Sequence, residues 1–475
     1  KTFSFSRVFT RGWPNLIFLS AFPHLVEFLA QTPNRDHLYG ELINHSPCTR
    51  QRSRQLEETA KALDVPLAVS NNSFFLHGDD WETHRILAAI RLTSTLSRLK
   101  PEEIAPQGAS FRSQGEMEHL FPNHREAIDN TEHIAAQCDA ALELGEWILP
   151  EISVPEGYTP RTYLEKLAGE GLEVNYRGKA GAYKKAKRLQ EMELDVISKL
   201  GYPSYFLFVK QIRDWANERF KTRYRRPKDA TILRGSAANS ITFYNIGASD
   251  LDPIEYNLYF QRFLNEDRAS PPDADLDFGW DERDEVFDYI IEKWGQDRVA
   301  VTCTTNHFRR RAAFRETAKV FGYSEEQVSD ILESHRTRTK KIEDEEICHI
   351  LELAENIRGK PRFLGQHPGG LLITNDPIWR HVACESSGGE KNRVITQIDM
   401  YNGIDELGLI KFDVLGNGSL SVLRDTLQQL EDQSLPDPDV WDLEKCYNDP
   451  RVRDVIRKGR TKGIFYIESP AQTRL

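Results

Sequence analysis

Up to about residue 150 the apolar positions switch between helical spacing and short continuous runs. Residues 56–63 (LEETAKAL) have helical spacing and lead through Pro66 into an apolar run at 67–69. Residues 81–99 read as an amphipathic helix, with Ile86, Leu87, Ile90 and Leu92 at helical intervals. This alternation predicts part of an α/β domain. Residues 149–160, with Pro150, Pro155 and Pro160, read as a linker. Beyond it the pattern predicts helices at 160–167, 179–200 and 205–219, then a strand pair at 231–233 and 273–278. Helices at 282–294 and 309–322 and a charge-rich helical stretch at 324–357 follow. Strands near 370–374 and 408–415 and a helix at 420–430 complete the series, without internal repeats or low-complexity tracts. The expected fold is α/β and α+β, in several domains. At roughly 100–200 residues per domain, 475 residues suggest two to four of them.

The longest apolar runs, 16–19 and 206–209, fall far short of the roughly 18–20 residues of a membrane span. No signal peptide opens the chain, and the ends at Lys1 and Leu475 read as those of a fragment. Six cysteines, none at C-x-x-C spacing, fit reduced thiols in a cytosolic protein and do not support a zinc site.

Charge complicates the picture. Sixty-two Lys+Arg against 73 Asp+Glu give −11, which by itself speaks against a nucleic-acid partner. The charges are segregated, however. Residues 273–288 hold eight acids and one base, whereas 221–234 hold six bases and one acid and 309–319 five bases and one acid. A further basic island lies at 336–341. Net charge describes the whole surface, while a polyanion meets only one groove.

The sharpest candidate chemistry is PPDADLDF, residues 271–278. In a strand, Asp273, Asp275 and Asp277 share one face and Ala274, Leu276 and Phe278 the other. Acids this close repel unless a cation sits between them, and hard oxygen ligands suit magnesium or manganese. By itself the pattern also fits an acidic, solvated edge strand. In ILRGSAANS (232–240), Gly235 and Ser236 form a turn at what reads as a helix start, where free N–H groups would bind phosphate; a plain strand-to-helix turn fits as well. Upstream, Lys221, Arg223, Arg225, Arg226 and Lys228, interleaved with Phe220 and Tyr224, suit a loop that follows a nucleic-acid backbone or a solvated basic loop. Arg311 and Arg315 share a helix face with Lys319. In LIKFDVLG (409–416), Asp413 sits in an apolar strand with Lys411 on the same face, and a carboxylate there needs a partner or a metal. His367 precedes Pro-Gly-Gly, where a turn-stabilising role competes with a catalytic one.

The ordered series GYPSYFLFVKQI, RGSAANS, DPIEYNLYFQRFLN, PPDADLDF, RRAAFRETAKVFG, QHPGGLLIT, IKFDVLG and TKGIFYIES across 201–469 resembles the catalytic core of the bacterial C-family DNA polymerases, the replicative alpha subunit and its error-prone relatives. RGSAANS, with Asn239, is closer to the error-prone branch, and IKFDVLG to the replicative one. The resemblance implies a polymerase-beta-like nucleotidyltransferase palm at 151–304 and 369–425, a helical thumb at 305–368 and the beginning of helical fingers at 426–475. It implies that Asp273, Asp275 and Asp413 are catalytic and hold two Mg²⁺ ions (or Mn²⁺). Gly235, Ser236, Lys411, Arg311 and Arg315 would bind the nucleotide, and Lys221, Arg223, Arg225, Arg226 and Lys228 the DNA. Residues 1–150 resemble the C-terminal part of a PHP (polymerase and histidinol phosphatase) domain. There Asn72 and Phe74 replace ligands of the metal-binding members, so a structural role without a metal is expected. Primer-template DNA and dNTPs are the implied substrates, with a sliding clamp and other replication or repair proteins as partners of the full-length member in the bacterial cytoplasm; no membrane is implied. A catalytically inactive relative that only binds DNA or protein, a glycosidase or other two-carboxylate hydrolase, and a template-free nucleotidyltransferase are the rival classes.

Overall fold

The computed structural model describes residues 9–142, 144–224, 231–267, 271–337, 344–388, 391–401, 403–436 and 443–474. Two compact units divide the chain. One comprises residues 1–141 and 306–362, the other 142–305 and 363–475.

In the first unit, strands β1 (Phe18–Ser20), β2 (Leu38–Ile43) and β3 (Leu67–Ser70) form a parallel sheet in the order β1-β2-β3. The helix Pro47–Leu63 carries the chain from β2 to β3. Ser46 caps it by accepting from the Thr49 N–H, and Pro47 stands where a missing N–H costs nothing. Leu56 and Ala60 of that helix bury against Leu38, Leu42 and Val69. The helix predicted at 81–99 is shorter, Trp81–Arg91, because Thr93 adopts a left-handed φ of +51° and the chain turns. A second apolar cluster joins Ile86 to Phe308, Phe314, Ala318, Ile350, Leu353 and Ile357. The stretch predicted as helical at 324–357 carries two helices, Glu325–Thr337 and Glu345–Ile357.

The second unit is built on a seven-stranded mixed sheet. Its strands are β4 (Ile232–Arg234), β5 (Asp275–Gly279), β6 (Val299–His307), β7 (Pro361–Ile373), β8 (Cys384–Ser386), β9 (Val394–Asp399) and β10 (Lys411–Asn417), in the order β4-β5-β10-β7-β6-β9-β8. β5 and β10 run parallel as neighbours, β4 is antiparallel to β5, and β7 is antiparallel to β10. Tyr205, Phe206, Leu207, Phe208 and Val209 are all buried, so the helix Pro203–Tyr224 is apolar on every side where it begins. It shares one core with Leu276 and Phe278 of β5 and Phe412 and Val414 of β10. This core lies on the face of β5 and β10 opposite the acidic side chains, because successive strand residues point to opposite faces.

Two sequence expectations are corrected here. Asp273 lies before β5 rather than within it, so only Asp275 and Asp277 are strand residues. The Pro-Gly-Gly after His367 is not a turn: it continues β7. Gly369 and Gly370 are needed for close approach, because a Cβ on Gly369 would lie 2.5 Å from Leu415 Cδ2, and one on Gly370 would lie 2.3 Å from Thr302 Oγ1 and 3.0 Å from Lys411 Cδ.

Candidate active site

The register of two parallel strands builds the site. Asp413 of β10 lies opposite Asp275 of β5, and Asp273 joins them from the preceding loop. One oxygen from each of the three carboxylates lies within 4.8 Å of the others. At that separation two unit charges repel by roughly 3–4 kcal/mol at an effective dielectric near 20, so the cluster needs compensation.

Two cations supply part of it. Lys411 Nζ stands 2.7 Å from Asp413 Oδ2, two residues apart on one strand face. Arg234 lies opposite Asp275 across the antiparallel β4–β5 pair, with its Nη2 3.3 Å from Asp275 Oδ2 and its Nε 3.4 Å from Asp277 Oδ2. Burial and the charge of Asp273 nevertheless push the Asp275 carboxyl up to about 6, against the opposing pull of Arg234. Asp277 is not part of the close cluster. It is buried, held by Arg234 and by the Asn417 side-chain amide at 3.1 Å, and burial raises its pKa.

Among the described residues, the buried Asp413 Oδ1 has no hydrogen-bond partner. An orphaned carboxylate oxygen beside two further carboxylates fits a hard divalent cation such as Mg²⁺ or Mn²⁺. Among the described residues, Asp273, Asp275 and Asp413 form the one group of this kind.

The Gly235–Ser236 turn follows Arg234 directly and therefore sits beside the carboxylates. Gly235 has φ +77°, and a Cβ there would lie 4.0 Å from Asp275 Oδ2. The expected helix start is corrected in detail. Gly235–Asn239 forms a 3₁₀ turn, and the α-helix begins only at Ile241. The N-terminus of that helix is taken by the fully buried Glu193, whose Oε1 accepts from the Ile241 N–H at 2.9 Å. Glu193 Oε2 accepts from the Thr242 N–H at 2.9 Å and from the Ser240 hydroxyl at 2.7 Å. Any phosphate must therefore meet the 3₁₀ turn rather than the helix behind it.

His367 stands near Asp413 and Lys411. Its Nδ1 accepts from the N–H groups of Gly369 and Gly370, at 3.2 and 2.6 Å, and burial lowers its pKa. With Nδ1 an acceptor, the neutral ring carries its proton on Nε2.

Of the predicted site residues, Asp273, Asp275, Asp413, Lys411, Gly235 and Ser236 belong to one unit. Arg311 and Arg315 belong to the other, on the helix Arg310–Val320. There Arg311 is exposed, Arg315 Nε pairs with Glu325 at 3.2 Å, and Lys319 pairs with the same carboxylate. Lys221 and Arg223 fall in the helix Pro203–Tyr224, while Arg225, Arg226 and Lys228 lie outside the described residues. Asn72, with φ +43°, and the exposed Phe74 line a cleft of about 1050 Å³ in the first unit, with His45, Arg52, His84 and Arg91. Sequence reasoning missed Arg234 and Glu193 as site-shaping residues. For Arg234 a signal existed: it immediately precedes the Gly-Ser turn and ends a strand.

The sequence profile of the bacterial DNA polymerase III alpha NTPase domain matches residues 162–416, which hold β4, β5, all but the last residue of β10 and all three clustered carboxylates. The chain belongs to this family. It is 30% identical over 466 residues to the DNA polymerase III subunit alpha of Pasteurella multocida (strain Pm70), covering 91% of this chain and 39% of the relative. The corresponding protein of Escherichia coli (strain K12) is 30% identical over 444 residues, with 87% and 37% covered. The error-prone DNA polymerase of Bdellovibrio bacteriovorus is 33% identical over 429 residues, with 88% and 39% covered. The chain thus spans about two fifths of the length of these relatives. Among the described residues, no helix is long and apolar enough to cross a membrane.

Proposed function

We propose that this chain carries the catalytic palm of a DNA-templated DNA polymerase, adding dNTPs to a primer 3′ end in bacterial replication or error-prone repair synthesis. The observation that carries the reading is the convergence of Asp273, Asp275 and Asp413 next to Lys411, Arg234 and a Gly-Ser turn. Family membership supports it, and so do the names of the relatives. In this reading residues 151–304 and 369–425 form the palm, 305–368 the thumb and 426–475 the beginning of the fingers. Residues 1–150 are the remnant of a PHP domain. The cytoplasm, primer-template DNA and a sliding clamp belong to the proposal as the setting of the full-length protein.

Asp273, Asp275 and Asp413 would hold two Mg²⁺ ions, which when bound supply activation of the primer hydroxyl and neutralisation of the triphosphate. The chain's own residues set the stage for that chemistry. The N–H groups of the turn at Gly235 and Ser236 bind the triphosphate. Lys411 and Arg234 present positive charge to its oxygens, exchanging a carboxylate partner for a phosphate one. Positioning and charge compensation account for the catalysis without a histidine base. Arg311 and Arg315 are proposed as further nucleotide contacts, and Lys221, Arg223, Arg225, Arg226 and Lys228 as DNA contacts.

The test is Mg²⁺-dependent extension of a labelled primer by the full-length chain, on primed and unprimed DNA and on intact and lesion-bearing templates. Template-dependent growth of the primer is expected. Incorporation without template, or extension indifferent to Mg²⁺, would overturn the reading. Strict stalling at lesions would exclude the error-prone duty.

A further inference from the structure

Strand pairing on β5 begins only at Asp275, which faces Asp413 on one side and Arg234 on the other. Asp273 and Ala274 precede the strand, so the sheet ladder does not fix them, although Asp273 must meet two strand carboxylates within 4.8 Å. One buried side chain touches both halves of this arrangement. Tyr205, fully buried on the helix Pro203–Tyr224, accepts the Ala274 N–H on its phenol oxygen at 2.8 Å. Its ring stacks on Phe412, with centroids 5.1 Å apart and planes 22° apart. Ala274 lies between Asp273 and Asp275, and Phe412 lies between Lys411 and Asp413. Ala274 and Phe412 are both 3% exposed, so neither contact is replaced by water.

We propose that Tyr205 is a positioning residue for the carboxylate cluster: its phenol oxygen pins the Ala274 backbone and thereby sets Asp273 against Asp275 and Asp413. The inference rests on the reading of that cluster as a divalent-cation site. Burial and the charge of Asp273 raise the phenol well above its ordinary range, so it stays neutral, and its oxygen lone pairs accept the Ala274 N–H. Phenylalanine would fill the same space and keep the stack on Phe412, but it would leave the Ala274 N–H buried without its acceptor. The backbone between Asp273 and Asp275 would then lose the hydrogen bond that ties it to the helix. Carboxylates that must converge on one ion lose affinity steeply when their spacing loosens, and supporting hydrogen bonds typically contribute 10–100-fold.

The experiment compares wild type, Tyr205→Phe, Phe412→Leu and Asp275→Asn in the full-length protein. Mn²⁺ binding is read directly from the electron paramagnetic resonance signal of free Mn²⁺, and the Mg²⁺ dependence of primer extension alongside it. Y205F is expected to weaken Mn²⁺ binding on the order of tenfold and to raise the Mg²⁺ requirement equally. Its kcat at saturating Mg²⁺ should stay within about twofold of wild type, because the ligands are intact. F412L removes the stacked ring but leaves the hydroxyl, and should lower the melting temperature with Mn²⁺ affinity nearly unchanged. Equal affinity losses in Y205F and F412L would make Tyr205 a core residue only. Wild-type affinity in Y205F, with D275N blind to Mn²⁺, would overturn the inference alone. Wild type and D275N binding Mn²⁺ equally well would overturn the metal-site reading itself. Should Y205F be recovered unfolded, para-aminophenylalanine at 205 puts a poorer acceptor in the same place. It should weaken Mn²⁺ binding by a smaller factor, and unchanged affinity there too would overturn the proposal.

Discussion

Arg234 bridges Asp275 and Asp277, at 3.3 and 3.4 Å, and these two carboxylates of one strand nevertheless have different surroundings. Asp275 belongs to the close cluster with Asp273 and Asp413, whereas Asp277 is buried between Arg234 and Asn417.

The first prediction separates them. Asp275→Asn should abolish Mn²⁺ binding and reduce primer extension by on the order of 10³-fold or more, because a convergent ligand is lost. Asp277→Asn should change Mn²⁺ affinity by no more than a few-fold and act mainly on stability. Similar losses of metal affinity in the two variants would show that the cluster is drawn too narrowly.

The raised pKa of Asp275 makes cation binding pH-dependent. With the carboxyl at about 6 in the absence of metal, it is ionised above that pH and protonated below it, where the proton competes with the cation. Mn²⁺ affinity should be flat above about pH 7 and fall by about tenfold per unit below pH 6, for one proton displaced. Affinity independent of pH down to 5 would contradict this assignment.

Glu193 gives a linkage with a defined sign. Burial raises its carboxyl to about 7, partly offset by hydrogen bonds from Thr242, Ile241 and Ser240. A folded-state value above the unfolded one means that the folded protein holds an extra proton between about pH 4.5 and 7. The resulting stability is present below about 4.5 and lost as pH rises through 7. Relative to Glu193→Gln, which cannot titrate, the wild type should lose about 3 kcal/mol across that window. Parallel melting-temperature profiles for the two proteins would rule the linkage out.

Gly370 tests the close approach of β7 and β10. Gly370→Ala places a Cβ 2.3 Å from Thr302 Oγ1, 2.9 Å from His367 Nδ1 and 3.0 Å from Lys411 Cδ. Such overpacking should cost about 1–3 kcal/mol in urea denaturation, and displacement of Lys411 should also reduce primer extension. Gly115→Ala, whose Cβ would meet no described residue beyond its own helix within 4 Å and which lies in the helix Gln114–Leu120, should be neutral or slightly stabilising. Equal effects from both substitutions would sink the steric argument.

Much was legible in the chain because it rests on short-range pattern. The alternation in PPDADLDF placed Asp275 and Asp277 on one strand face, and Ile410–Leu415 announced a buried strand carrying a carboxylate. Helix positions were read closely where apolar periodicity was clean, as at Ala180–Lys199, and poorly where a turn conformation intervened, as at Thr93. The Pro-Gly-Gly of β7 was misread because turn residues in sequence can equally serve close packing between strands. Tertiary structure alone decided that Asp413 faces Asp275, that Arg234 reaches both Asp275 and Asp277, and that Glu193 caps a helix far along the chain. Periodicity fixes which face of an element a side chain occupies. Register between distant strands, and the donor that meets a buried acceptor, depend on contacts between residues far apart in the chain, which periodicity does not encode.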